Sequence, residues 1–227
     1  MKTTRLLSRD QLARFYDGLG AGLDTQAFYE AAAMRDLVAH LEMRTSRAIV
    51  EFGCGTGRLA AELLANYVPP GATYLGLDVS RTMVELTKRR LSRWGGRVEV
   101  RQTDGAPHVE AADNTFDRFI CTYVLDLLSD EEIRRVLDEA HRILRPGGLL
   151  GLGSLTNGPT PTSGLVTTIW RRLHQVSPWL VGGCRPITLS SFMPNSGWTV
   201  EYTNIVVRFG VPSDIVVARN VATPRST

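Results

Sequence analysis

Lysine is nearly missing from this chain: of 26 basic residues only Lys2 and Lys88 are lysines, and the rest are arginines. Against 23 acidic residues this leaves a net charge of +3 and no sustained basic block. A nucleic-acid arm would show such a block, so nucleic acid is not an expected partner. Cysteine is scarce as well. Cys54, Cys121 and Cys184 are odd in number, far apart and without a C-x-x-C pair, which excludes a disulfide framework or a cysteine zinc site as the organising device. The four histidines fall in no ligand spacing, and no metal is expected. Long apolar runs are also lacking: no segment reaches the ~18 residues of a membrane span, and the first twenty residues have no apolar signal core. The expected setting is cytoplasmic.

What is present is an alternation of strand-like and helix-like segments. Ala48–Phe52, Thr73–Asp78, Arg97–Gln102, Phe116–Thr122 and the run LLGLGSL (149–155) read as strands. Between them, 58–67, 81–94 and 129–144 read as helices, with Ser80 placed to cap the second. Ser129 and Glu132 stand in capping-box spacing at the start of the third. This order predicts an α/β domain whose parallel sheet is covered by helices on both faces. Residues 10–43 read as helical, interrupted by GLGAG at 18–22, and 163–183 as a further helix. Two long strands, around 198–210 and 213–221, predict a C-terminal antiparallel pair. The expected organisation is one domain over 1–227: a helical cap at 1–45, a core at 46–155, and an acceptor-side helix with the strand pair at 156–227.

The stretch VEFGCGTGRLA (50–60) sets Gly53, Gly55 and Gly57 at every second position behind the first strand. Glycine there makes either a plain turn or a surface that something must approach closely. The spacing is not the G-x-G-x-x-G of dinucleotide folds, and no P-loop lysine follows. Asp78 ends the second strand, where a carboxylate can accept from both hydroxyls of a ribose; capping with Ser80 is its plainer role. Asp104, in QTDGAP after the third strand, could accept from an exocyclic amine. With Glu51, these acids fall at or just past strand ends, where open α/β sheets bind ligands.

VEFGCGTGRLA, YLGLDVS, RQTDGAP, FDRFICTYVLDLLS and LRPGGLLGLGSL, in that order, resemble the class I S-adenosylmethionine-dependent methyltransferases. They are most similar to the small-molecule branch of quinone-biosynthesis and phospholipid N-methyltransferases, strongly over residues 46–155. The resemblance implies a Rossmann-like seven-stranded, mostly parallel sheet with its last strand antiparallel, and S-adenosylmethionine as cofactor. It implies that Gly53, Gly55 and Gly57 lie against the methionine part, with Glu51 near its amino group. Asp78 would take the ribose, Val79 and Met83 would flank the adenine, and Asp104 and Gly105 would meet its edge. Cys121 and Thr122 would face the reactive methyl.

No fixed catalytic residue follows from this, since methyl transfer can rest on proximity and alignment. Tyr123 and Asp126 after the fourth strand, and Tyr16 and Tyr29 on the cap, are the candidates near the methyl. The segment CTYVLDLL lacks the Pro-Pro-aromatic pattern of base-amino methyltransferases. A small acceptor is expected, lipophilic or amine-bearing. IWRRLHQVSPWLVGG (169–183) mixes Trp170 and Trp179 with Arg171 and Arg172, which suits a membrane interface or a helix that simply packs on the sheet. A non-catalytic cofactor-binding subunit and a nicotinamide-dependent oxidoreductase stay open as alternatives, and oligomeric state is left undetermined.

Overall fold

Apolar residues run almost continuously through the central strands, and both faces of the sheet they form are buried. In the computed structural model, which describes residues 6–159, 161–193 and 197–221, neighbouring residues of the first strand, β1 (Ala48–Phe52), serve opposite cores. Val50 and Phe52 pack on one side with Ile133, Val136, Leu137 and Ala140 of the helix α5 (Asp130–Ile143). Ile49 packs on the other side with Leu37 of α2 (Ala27–His40) and Leu63 of α3 (Arg58–Asn66). Burial on both faces is the condition for a parallel sheet. The ends of the expected cap and strand pair, at 1–5 and 222–227, lie outside the described residues.

Seven strands stand in the order β3-β2-β1-β4-β5-β7-β6. Besides β1 they are β2 (Thr73–Asp78), β3 (Val98–Gln102), β4 (Phe116–Thr122), β5 (Leu144–Leu155), β6 (Trp198–Arg208) and β7 (Val211–Asn220). β1 pairs in parallel with β2 and β4, and β7 runs antiparallel to both β5 and β6. The expected sheet, with its antiparallel last strand, is the one found. The chain turns from β1 to β2 on one side and later returns to place β4 on the other. The carboxyl ends of β1 and β4 therefore border the switch point at which such sheets take ligands.

Three local expectations are corrected. The fifth strand, expected over 149–155, begins at Leu144 and carries Arg145–Pro146–Gly147–Gly148 as an irregularity within it: Phe116 pairs with Leu144 and, two residues later, Arg118 pairs with Leu149. The helix α4 (Arg81–Leu91) stops earlier than expected and passes into a 3₁₀ stretch, Ser92–Arg97, where Gly95 takes φ 49°. The helix expected over 163–183 is α6 (Pro161–Val176), followed by a separate 3₁₀ turn at Pro178–Val181. Pro178 forces that break: the residue before a proline is pushed out of the helical region, and Ser177 is extended at φ −157° and ψ 120°.

The N-terminal cap folds back over the carboxyl ends of the strands. Its first helix, α1 (Arg9–Leu19), opens with a full capping box between Ser8 and Gln11. A 3₁₀ segment, Gly20–Gln26, then leads into α2.

Candidate functional site

The glycine turn is built by its own hydrogen bonds. Gly53 N–H and Cys54 N–H both donate to the Leu77 carbonyl, at 2.8 and 2.9 Å. Gly55 N–H donates to Asp78 Oδ2 at 2.9 Å, and Ser80 N–H to Asp78 Oδ1 at 2.9 Å. Asp78 thus ties the β1 turn to the start of α4. Gly53, Gly55 and Gly57 take φ of 80°, 53° and 72°, the left-handed region that side chains other than glycine's avoid. A Cβ on Gly53 would lie 2.2 Å from Val124 Cγ2, and one on Gly57 2.7 Å from Thr87 Cγ2. The chain's own side chains therefore demand glycine at these two positions. A bare surface for a ligand is not needed to explain them.

One cavity opens beside this turn. Of the residues that the resemblance assigns to the cofactor, Glu51, Gly53, Gly55, Asp78, Val79, Met83, Gly105 and Thr122 line it. Three others do not. Gly57 caps α3, Cys121 is fully buried beneath the floor, and Asp104 is exposed, its Oδ1 accepting from Ala106 N–H at 2.8 Å. Tyr16, Tyr29, Tyr123 and Asp126, the candidates near the reacting methyl, all reach the same cavity. Tyr123 does so from a left-handed φ of 54°, with its Oη 2.7 Å from Ser213 Oγ.

The cap supplies walls that local sequence did not reveal: Leu12, Leu23, Asp24, Glu30 and Met34 line the cavity from above, and Arg58 does so from α3. Ion pairs hold the cap down. Arg90 Nη2 meets Asp24 Oδ2 at 2.6 Å, and Arg58 Nη2 meets Glu30 Oε2 at 3.1 Å. Ser80 Oγ donates to Asp17 Oδ1 at 2.6 Å. Trp170 of α6 and Cys184 close a further wall, joined by a bond from Trp170 Nε1–H to the Cys184 carbonyl at 3.0 Å.

Burial dominates the electrostatics. It pushes the Glu51 carboxyl up to about 8, although the Tyr74 hydroxyl bond at 2.6 Å pulls the other way. It pushes Asp78 up to about 6 against the two backbone donors, and Asp126 up to about 7. A folded-state value above the unfolded one means stability that is complete below the unfolded value, near 4, and is lost as pH rises through the folded value. These three groups therefore destabilise the ligand-free protein progressively between about pH 4 and pH 8. A ligand that brings positive charge beside them offsets the loss. The gain in Tm with saturating S-adenosylmethionine, whose sulfonium is cationic, is expected to be larger at pH 8 than at pH 6. A gain that shrinks over this range would show that these acids do not face the cofactor.

The donor set fits that cofactor: buried carboxylates for amino and hydroxyl groups, backbone N–H and C=O in the turn, and apolar Val79 and Met83 for a flat base. Among the described residues no group of three or more His, Cys, Asp or Glu side chains could hold a metal. No described helix is long and apolar enough to cross a membrane.

Comparison with known proteins agrees. Residues 49–148 match a family model described as a methyltransferase domain. Nocamycin O-methyltransferase from Saccharothrix syringae is 32% identical over 157 residues, covering 69% of this chain and 51% of that protein. Demethylmenaquinone methyltransferase from Symbiobacterium thermophilum is 30% identical over 141 residues, covering 61% and 54%. The chain spans about half the length of the curated relatives it matches. Among solved structures, the [4+2]-cyclase SpnF superposes with a TM-score of 0.73 at 18% identity, over 98% of this chain and 100% of that one. Fold, turn and family match agree: over residues 49–148 this chain resembles the class I S-adenosylmethionine-dependent methyltransferases.

Proposed function

We propose that this protein transfers the methyl group of S-adenosylmethionine to a small, lipophilic acceptor. One observation carries the reading: the strand-end residues Glu51, Gly53 and Asp78 and the aromatic residues Tyr16, Tyr29, Tyr123 and Trp170 line a single cavity under the cap. In that arrangement Asp78 and the glycine turn bind the cofactor, which supplies an electrophilic methyl when bound. The aromatic end orients the acceptor and keeps water from the reacting atoms, so proximity and alignment supply most of the rate.

The mainly apolar and aromatic walls favour a lipophilic acceptor, and so does α6. Its Ser163, Thr167 and His174 are buried, while Leu165, Ile169 and Val176 are exposed. The helix thus turns an apolar face outward, with Arg171 and Arg172 exposed beside it. Such a face suits peripheral contact with an anionic membrane. Trp170, grouped with this surface in the sequence reading, instead points to the cavity.

The first test incubates the purified protein with methyl-labelled S-adenosylmethionine and an extract of its native host. Enzyme-dependent label in the organic phase is the expected result. Label confined to water-soluble or macromolecular material would overturn the lipophilic acceptor. Cofactor binding without label anywhere would favour a second reading, in which the pocket serves another purpose. A cyclase with the same fold over 98% of this chain gives that reading its weight.

A further inference from the structure

Asp126 sits in the 3₁₀ turn Leu125–Leu127 that follows β4, and it is completely buried. Its Oδ2 accepts from Leu155 N–H at 3.2 Å, and its backbone carbonyl accepts from Arg185 N–H at 3.0 Å. Among the described residues no hydrogen-bond partner reaches its Oδ1, which is buried on a residue that lines the cavity. Buried carboxylate oxygens are almost always partnered, so this oxygen is poised to accept from a molecule in the cavity.

The neighbours do not supply that donor. The Tyr16 hydroxyl donates to the Gly182 carbonyl at 3.4 Å, that of Tyr29 to Gln26 Oε1 at 3.2 Å, and that of Tyr123 pairs with Ser213. Arg185 directs Nη2 to the Leu128 carbonyl and to Asp130, and forms no ion pair with Asp126. Glu30, the other acid facing this region, is held by Arg58. Cys184 and Cys121 are neutral thiols here, because burial pushes both far above their ordinary range. Among the described residues lining the cavity, Asp126 is thus the fully buried carboxylate with an unpartnered oxygen.

Building on the proposed methyl transfer, we infer that Asp126 is the general base of the reaction and that the acceptor is an acidic hydroxyl, a phenol or an enol. As the acceptor oxygen attacks, its proton passes to Asp126 Oδ1. An oxygen lone pair forms the new O–CH₃ bond, while the C–S bond breaks with its electron pair remaining on sulfur. The sulfonium becomes the neutral thioether of S-adenosylhomocysteine, and Asp126 later returns the proton to water. An amine arriving as ammonium fits less well: Asp126 would hold it by N–H with its lone pair already protonated, and Glu30, the other acid at this end, is engaged by Arg58. Burial raises the carboxyl to about 7 against the Leu155 bond, with Glu30 adding to the rise and Arg185 opposing it. A base in that range is matched to an acidic hydroxyl at neutral pH.

The test uses S-adenosylmethionine labelled with ¹³C in the methyl group, the full-length protein and host extract, and reads the atom methylated from the chemical shift of the new methyl carbon. The wild type is expected to give an O–CH₃ signal, at a rate that rises with pH and levels above about 7. Asp126→Asn keeps an acceptor for Leu155 N–H and removes the base; its rate is expected to fall by about 10²–10⁴-fold, with no inflection near 7 and with affinity for S-adenosylhomocysteine, which lacks the sulfonium charge, unchanged. Should Asp126→Asn fail to fold, Asp126→Glu, which restores a carboxylate, is expected to keep the inflection at reduced rate. An N–, S– or C–methyl product, or an Asp126→Asn rate within threefold of wild type, would overturn the inference. Absence of any methyl product despite cofactor binding would instead overturn the methyl-transfer reading beneath it, and Asp126 would lose its role with it.

Discussion

Replacing Asp78 by alanine is expected to weaken S-adenosylmethionine binding by at least ~100-fold, because in the proposed function one carboxylate does two jobs at this position. Its two oxygens hold Gly55 N–H and Ser80 N–H, each at 2.9 Å, and so set the turn and the start of α4 in register. Its remaining lone pairs are what a ribose can use. Hydrogen bonds to a charged group are worth about 1.5–3 kcal/mol each. Two of them correspond to about 10²–10⁴ in affinity at 1.4 kcal/mol per tenfold. Asp78→Asn separates the jobs only in part, since its NH₂ must face one of the two backbone donors. Titration calorimetry with S-adenosylhomocysteine reads the effect directly. Affinity within tenfold of wild type in Asp78→Ala would remove Asp78 from the cofactor site.

Gly53→Ala is expected to lower stability by about 2–4 kcal/mol, with a drop in Tm of roughly 5–15 °C for a domain of this size. A non-glycine residue in the left-handed region costs about 1–2 kcal/mol by itself, and Gly53 stands at φ 80°. The new Cβ also meets Val124 Cγ2 at 2.2 Å, so β1 and the turn after β4 must separate or Val124 must leave its place. Val124 lines the cavity, hence cofactor affinity should fall together with stability. Adding Val124→Ala relieves the collision but leaves the backbone strain. The double variant is therefore expected to be more stable than the sum of the two single effects, by about 1 kcal/mol or more. Strict additivity would mean that Val124 does not enforce this glycine.

The comparison of Asp78 with Asp104 shows how far the reading of strand ends could go. Both are aspartates at the carboxyl ends of neighbouring strands, and sequence spacing treats them alike. Asp78 is 9% exposed and borders the cavity, whereas Asp104 folds its carboxylate back onto Ala106 N–H. The local turn conformation decides this difference, and a two-residue Asx contact competes with any ligand for the same oxygen. Tyr16 and Tyr29 present the opposite case. By pattern they are helix aromatics that could either roof the site or only pack, and it is the fold of the cap over the sheet that brings them to the cavity.

The sequence by itself determined the alternation of strands and helices, the antiparallel C-terminal pair and the strand ends at which the acids stand. Those features rest on hydrophobic period, caps and turn residues, which act over a few positions. Tertiary structure alone decided what closes and charges the site. Asp24 meets Arg90 across 66 positions, and Asp17 meets Ser80 across 63. The outward turn of Leu165 and Ile169, with Trp170 brought to the cavity, and the open oxygen of buried Asp126 belong to the same class. Each depends on which distant surface arrives opposite a side chain and on which donors that surface has already committed elsewhere. No local pattern carries that information, because the pairing exists only once the cap has folded across the carboxyl edge of the sheet.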